Sequence, residues 1–282
     1  MKQIKNKKNL IITSSLIIIF ILIIAECIQS NYFLTVNEYS FNSKKITDDI
    51  CIVYISDLHN KEFGENNSDL IKIISEQNPD FIAVGGDMVT RTYANDDVMK
   101  NLLTRITEIA PVYCCMGNHE RDLSTSLDIK SDIENCGAIL LDNEYTNFTT
   151  KSGENILIVG ISDYPYAETE ENEFWRKFKE SEEYAKGNYT LLLHHQPEYT
   201  PSLLTDSKID LALCGHTHGG LVQIPLLGGV IAPNQGLFPE YDKGVFEFGN
   251  SSMIVSSGLG VSNPVPRFNN PPEVSVIKLN AT

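Results

Sequence analysis

Five short apolar runs in this chain each lead into polar residues that a buried core would reject. That pattern constrains the fold more than any other feature. ICIVYIS (50–56) is followed by Asp57 and His59, DFIAVGG (80–86) by Asp87, and PVYCCMG (111–117) by Asn118 and His119. YTLLLHH (189–195) closes on His194 and His195, and IDLALCG (209–215) leads into His216 and His218. Uninterrupted apolar runs of this length read as strands buried on both faces. Between the first three lie two helix-like segments. SDLIKIISEQN (68–78) is amphipathic and opens on Ser68 as a cap, and NDDVMKNLLTRITEIA (95–110) has acidic residues in its first turn. Strands alternating with helices predict parallel strands with helices on the faces. In open α/β sheets, ligands bind beyond the carboxyl ends of the strands. All six histidines of the chain fall there.

The rest of the chain is organised around that rhythm. YFLTVNEYSF reads as a lead strand. A helix is predicted near 125–135, short strands near 138–142 and 145–149, and a strand at 155–162 followed by a helix through Phe174, Trp175 and Phe178. Residues 221–243, rich in Gly and Pro, read as a long loop, and GVFEFGN, SMIVSSG and EVSVIKL as late strands covering one side. No repeat of fixed period and no long linker divides the chain, which predicts one domain over 31–280.

The N-terminus has separate physics. Residues 1–8 are a basic tail holding Lys2, Lys5, Lys7 and Lys8, and the stretch from Asn9 to Ala25 carries no charge. That stretch is about the shortest that crosses a bilayer, so residues 9–28 are predicted to be a transmembrane anchor. The lysines place the N-terminus in the cytoplasm and the rest of the chain outside it. A cleaved signal peptide is the rival reading; no small-x-small cleavage site follows cleanly. The formal charge is -15, and the four leading lysines leave -19 for the remainder. A body that acidic does not attract nucleic acid, and its charge favours solubility. The six cysteines lack CxxC pairs and mostly sit in or beside apolar runs, so buried thiols are expected rather than disulfides or a zinc site.

The polar residues at the strand ends suggest a metal centre. In an extended chain residues i and i+2 share a face, which predicts that Asp57 and His59 point at one spot, as do His216 and His218. Gly85, Gly86, Gly219 and Gly220 let the backbone turn and approach a ligand closely. Imidazole, carboxylate and one amide, without thiolate, suit Mn, Fe or Zn. The set is large enough for two ions sharing one Asp, and two ions ~3.5–4 Å apart support in-line displacement at phosphorus.

DxH (57–59), GD (86–87), GNHE (117–120), HxP (195–197) and GHTH (215–218), in this order, resemble the calcineurin-like metallophosphoesterases over residues 31–280. The closing SSGLGVSNPVPRFNNPPEVSVIKL is similar to the ending of the membrane-attached or exported bacterial branch. The resemblance implies an α/β fold, a four-layered α/β/β/α metallophosphoesterase sandwich, here preceded by one N-terminal transmembrane helix. It implies two divalent ions, the first held by Asp57, His59, Asp87 and His218, the second by Asp87, Asn118, His195 and His216. His119 would lie beside them, contact a phosphate oxygen and protonate the leaving alkoxide. The HxP motif selects His195 over His194, which strand alternation turns to the opposite face. Arg121 and Arg267 remain open between phosphate contact and structural pairing.

The implied activity is hydrolysis of phosphodiester or diphosphate bonds by a hydroxide shared between the metals. The substrates are phosphoesters, lipid-linked ones among them, and the enzyme is held in the cell membrane by a single pass. Two other readings stand beside it: a phosphodiesterase acting on soluble nucleotides, and a non-catalytic surface protein that senses metal or phosphate. The intact ligand set and His119 argue against the sensor. A metal-dependent protease lacks its HExxH. The 221–243 segment directly follows the metal histidines and is the candidate for specificity.

Overall fold

The computed structural model describes residues 2–161, 170–205, 207–262 and 265–282, and the side chains of 2–8, 10 and 170–173 lie outside that description. Ser162 at the end of one predicted strand, and Asn263 and Pro264 of the closing motif, are therefore also outside it.

Two six-stranded sheets carry the fold. The first runs β1 (Thr35–Ser43), β16 (Glu273–Ala281), β2 (Ile50–Ile55), β3 (Phe81–Val84), β4 (Val112–Cys114) and β5 (Ile139–Leu140). The second runs β14 (Gly244–Phe248), β15 (Ser251–Val255), β9 (Leu211–Cys214), β8 (Thr190–His194), β7 (Asn155–Ile161) and β6 (Glu144–Thr149). From β2 to β5 the pairing is parallel, as it is from β7 through β8 and β9 to β15. The late strands were expected to cover one side together, yet they part company. β14 and β15 extend the second sheet, while β16 enters the first between β1 and β2. That return pairs residues far apart in the chain, and no local pattern specifies it.

Alternation along the strands builds four layers. Val53, Ile55, Ile82 and Val84 turn outward onto α2 (Ser68–Glu76), α3 (Asp97–Ile106) and α5 (Ile129–Asn135). Ile52, Tyr54, Phe81 and Ala83 turn inward against Ile158, Leu191, Leu213 and Ile254 of the second sheet. On the far face Val159, Leu192, Ala212 and Val255 meet Phe178 of α6 (Glu170–Lys179), Tyr184 of α7 (Glu182–Lys186) and Leu203 of α8 (Thr200–Leu204). The helices fit because their apolar residues form stripes: Met99, Leu102, Leu103 and Ile106 are the buried face of α3. Ser68 does not cap α2; it is the first helical residue, and Asn67 takes the cap position in a left-handed conformation at φ 60°.

Other elements adjust the expectations from sequence. The GNHE motif opens an additional short helix, α4 (Asn118–Leu123). Residues 221–243 are not one open loop. They contain two small hairpins, β10 (Gln223–Ile224) with β11 (Gly228–Gly229), and β12 (Ile231–Ala232) with β13 (Gly236–Leu237). Cys114, Cys115 and Cys214 are buried, Cys27, Cys51 and Cys136 only half-buried, and none of the six is in a disulfide. At the N-terminus α1 (Lys2–Tyr32) is one helix, longer than the segment 9–28. Among the described residues it alone is long and apolar enough to cross a bilayer.

Candidate dimetal centre

The parallel strands of both sheets deliver their carboxyl ends to one place. Asp57 and His59 follow β2, Asp87 follows β3, Asn118 and His119 open α4 after β4, His195 follows β8, and His216 and His218 follow β9. The extended geometry expected for the paired residues does not hold. Asp57, His59, Asp87, His216 and His218 adopt left-handed φ values of 54°, 51°, 53°, 69° and 50°. The side chains converge because each strand breaks into a tight turn, not because an extended strand continues. Such conformations cost ~1–3 kcal/mol each and persist only where the surroundings enforce them.

Hydrogen bonds between the turns do the enforcing. Asp57 N–H donates to Gly86 O (2.9 Å) and His59 N–H to Asp87 O (3.0 Å). His216 N–H donates to the Asp57 carboxylate at 3.0 Å. Gly117 packs against Asp87: a Cβ there would fall 2.3 Å from Asp87 Oδ1. The strongest clamp is Glu120, to which the sequence reading gave no role. Its carboxylate accepts the N–H groups of Asp87 (2.7 Å), Met88 (2.6 Å), Val89 (3.1 Å) and Gly117 (2.9 Å). Burial, then the charge of Asp87, raise this carboxyl to about 7, while the Val89 and Asp87 N–H groups pull it back. The signal in the sequence was the acidic residue three positions after Gly117, where a capping side chain reaches back to free N–H groups. Glu120→Gln keeps the shape but leaves one acceptor oxygen where two served four donors. Stability should fall by about 3 kcal/mol, measured as the urea unfolding midpoint of the metal-free protein; an unchanged midpoint would contradict the clamp.

The imidazoles are buried and close. His195 Nε2 lies 3.1 Å from Asp87 Oδ2 and 3.9 Å from Asp57 Oδ1. His59 Nε2 lies 3.8 Å from Asp87 Oδ2 and 4.0 Å from Asp57 Oδ1, and His218 Nδ1 is 4.0 Å from Asp57 Oδ1. Desolvation drives three of the rings to the neutral, ligating form: His59 falls to about 4, His216 to about 3 and His218 well below its ordinary range. Burial also raises Asp57, to about 6. Burial pushes Asp87 the same way, but the adjacent His195, then His59 and His119, outweigh it and hold this carboxyl well below the usual range.

Partner atoms decide which ring nitrogens are available. His59 Nδ1 donates to Val89 O (3.2 Å) and His195 Nδ1 to Gly85 O (2.7 Å), because a carbonyl only accepts. With the proton on Nδ1, the neutral form of each ring has its lone pair on Nε2, on the side of the two carboxylates. His119 is the opposite case: its Nδ1 accepts the N–H of Arg91 at 3.0 Å, so the neutral ring carries its proton on Nε2. That nitrogen faces Asp87 Oδ2 at 3.9 Å as a donor.

The donor set fits divalent metal. His59 Nε2, His218 Nδ1 and Asn118 Oδ1 are buried without a hydrogen-bond partner among the described residues. Buried polar atoms are rarely left so. Asp57, His59 and His218 bring ligand atoms within 4.8 Å of one another, as do Asp87, His195 and His216, and also His59, Asp87 and His119.

Three neighbours left open by the sequence have structural partners. Arg267 is fully buried and donates to the carbonyls of Ser257 (2.6 Å), Gly258 (3.2 Å) and Gly260 (2.6 Å), fixing the turn that lies against Asp57. Arg121 pairs with Asp142. His194 Nδ1 donates to Thr200 Oγ1 at 2.8 Å on the outer side of β8. Two contacts at His216 had no sequence signal: Asn234 Nδ2 at 3.2 Å and Glu198 Oε1 at 3.7 Å.

Two packed α/β layers with buried carboxylates, neutral imidazoles and one amide at the shared strand ends define a metal-dependent phosphoester hydrolase. Residues 51–220 match the family model described as Calcineurin-like phosphoesterase, and the chain belongs to that family, whose members use two divalent ions. It is 30% identical to Phosphodiesterase YaeI of Escherichia coli over 81% of each chain. It is 27% identical to metallophosphoesterase YkuE of Bacillus subtilis over 89% of this chain and 87% of the relative. A metallophosphoesterase of Aquifex aeolicus is 27% identical over 88% and 92%, respectively.

Proposed function

We propose that this chain is a membrane-anchored dimetal phosphoesterase that hydrolyses phosphodiester or diphosphate bonds outside the cytoplasm, with lipid-linked phosphoesters as its substrates. The contrast among the ring nitrogens carries the reading. Rings that donate through Nδ1 keep Nε2 as a ligand, and the one ring that accepts at Nδ1 keeps a proton to give. Asp57, His59, Asp87 and His218 would hold one ion, and Asp87, Asn118, His195 and His216 the other. The bound ions supply Lewis acidity toward phosphoryl oxygens and lower the pKa of water. The chain itself would then do three things: Glu120 fixes the Asp87 turn, the Gly85 and Val89 carbonyls orient His195 and His59, and His119 protonates the departing alkoxide from Nε2, its proton replaced by the one the attacking water gives up. The likeness to a protein named a phosphodiesterase supports the bond type. The apolar length of α1 and the four lysines before it support the anchor and its direction.

The test uses the full chain in detergent, stripped of metal and reloaded with Mn²⁺. Two ions per chain and metal-dependent turnover of an aryl phosphodiester are expected. Failure to bind metal would overturn the reading. Two bound ions with no turnover of aryl, alkyl or lipid phosphoesters would replace it with a binding protein.

A further inference from the structure

We infer that the double hairpin at residues 222–238 is a membrane-docking loop that holds the metal centre against the lipid surface, so that its substrate is a phosphoester borne by a lipid. The inference rests on the reading of α1 as a membrane span and goes beyond it.

Composition sets this segment apart. From Leu221 to Pro239 there is no charged residue, in a chain that is 21% charged. Its large side chains face outward: Leu227 is 67% exposed, Leu237 69%, Phe238 58%, and Leu226 completely so. A bond from Phe238 N–H to Val230 O (2.9 Å) ties the two hairpins together, so these residues belong to one small unit. A contiguous exposed apolar patch marks an interaction surface.

Its position names the partner. Four consecutive residues join the end of α1 to the base of the hairpins. Arg267 and Asn270 hold the helix: Asn31 Nδ2 donates to Arg267 O (2.9 Å), and Asn270 N–H donates to Ser30 Oγ (3.1 Å). Phe268 and Asn269 hold the hairpin: Gln223 N–H donates to Phe268 O (3.0 Å), and Asn269 Nδ2 to Gln223 O (3.0 Å). Glu26 closes the apolar stretch of α1, and Asn31 stands five residues later, ~7.5 Å along a helix. Leu226 is three residues from Gln223, a reach of up to ~10 Å in extended chain. The tip is therefore long enough to reach the plane where α1 would leave the bilayer. The -19 charge of the chain beyond its first eight residues makes the rest of the surface a poor one to lay on lipid, and this uncharged patch a good one.

The same segment touches the centre through Asn234 of the second hairpin, which meets His216, and the joining residue Asn270 adds a second link, its Nδ2 donating to His218 O at 2.7 Å. A docked loop thus sets the metal ligands at headgroup level.

The test reconstitutes the full chain into phosphatidylcholine vesicles with brominated acyl chains, which quench tryptophan on contact. Leu226→Trp reports on the loop and Leu16→Trp on α1, after subtraction of the Trp175 signal given by the unsubstituted protein. Interfacial side chains bury ~5–10 Å into the headgroup and acyl boundary, so emission from Leu226→Trp should fall by roughly half. Quenching of Leu16→Trp alone would overturn the docking loop and leave the span intact. Quenching of neither would remove the span as well. Blue-shifted but unquenched emission from Leu226→Trp would mean that a second copy covers the patch, which also overturns the inference.

Discussion

Asp87→Asn will abolish metal-dependent turnover while leaving the metal-free fold intact. The residue is 1% exposed, and its two oxygens have different jobs. Oδ1 accepts the His119 N–H at 2.8 Å, a bond that an amide oxygen can keep. Oδ2 faces His195 at 3.1 Å, His59 at 3.8 Å and His119 at 3.9 Å, and there the substitution puts an NH₂ group. Because the proposed ligand sets share Asp87, one lost charge should weaken both. Removing several kcal/mol of Lewis-acid stabilisation, taken as about 4, lowers kcat/KM by ~10³-fold. Metal content should drop from two ions per chain to fewer than one. Stability separates this from misfolding. Without metal the variant should melt somewhat below the parent but still cooperatively, since it loses the charge that His195, His59 and His119 favour, and relief beside Asp57 only partly offsets that loss. The rise in Tm that Mn²⁺ gives the parent should vanish. A variant that binds two ions and turns over normally would remove Asp87 from the centre.

Local pattern made half of the architecture legible. ICIVYIS, DFIAVGG and PVYCCMG are β-branched and apolar without alternation, so they could only be strands covered on both faces. They form β2, β3 and β4 in parallel. What the sequence left open depends on partners far along the chain. Nothing within EVSVIKL distinguishes an edge of the second sheet from a place beside β2, and β16 takes the latter. The i and i+2 argument reached the right neighbourhood by the wrong geometry, because it extended strand dihedrals past Asp57 and His216, where φ has already turned positive. Arg267 could be read as a phosphate ligand from charge alone; only the three carbonyls around its buried guanidinium assign it to the turn over Asp57. Glu120 was visible as a letter of GNHE, but its four N–H partners come from two separate strand ends.

His119→Asn will separate the proton donor from the ligands. Its ring is 4% exposed and its centroid lies 4.6 Å from that of His59, close enough to be taken for another ligand. The Arg91 N–H argues otherwise: a ring that accepts at Nδ1 and is neutral has no lone pair on Nε2. Burial lowers its pKa from the ordinary value, which favours the neutral ring, and the Arg91 N–H then puts that ring's one proton on Nε2. The loss should therefore depend on the leaving group. For an alkyl phosphodiester, whose alkoxide needs a proton, kcat should fall ~10³-fold, within the range for a positioned acid. For a nitrophenyl ester, whose phenolate leaves unaided, the fall should stay below about tenfold. Two ions per chain should remain bound. Equal losses on both esters, together with a missing ion, would mean that His119 gives up the Arg91 bond when metal enters and ligates through Nε2. The centre would then count one histidine more, and the proton would have to come from elsewhere.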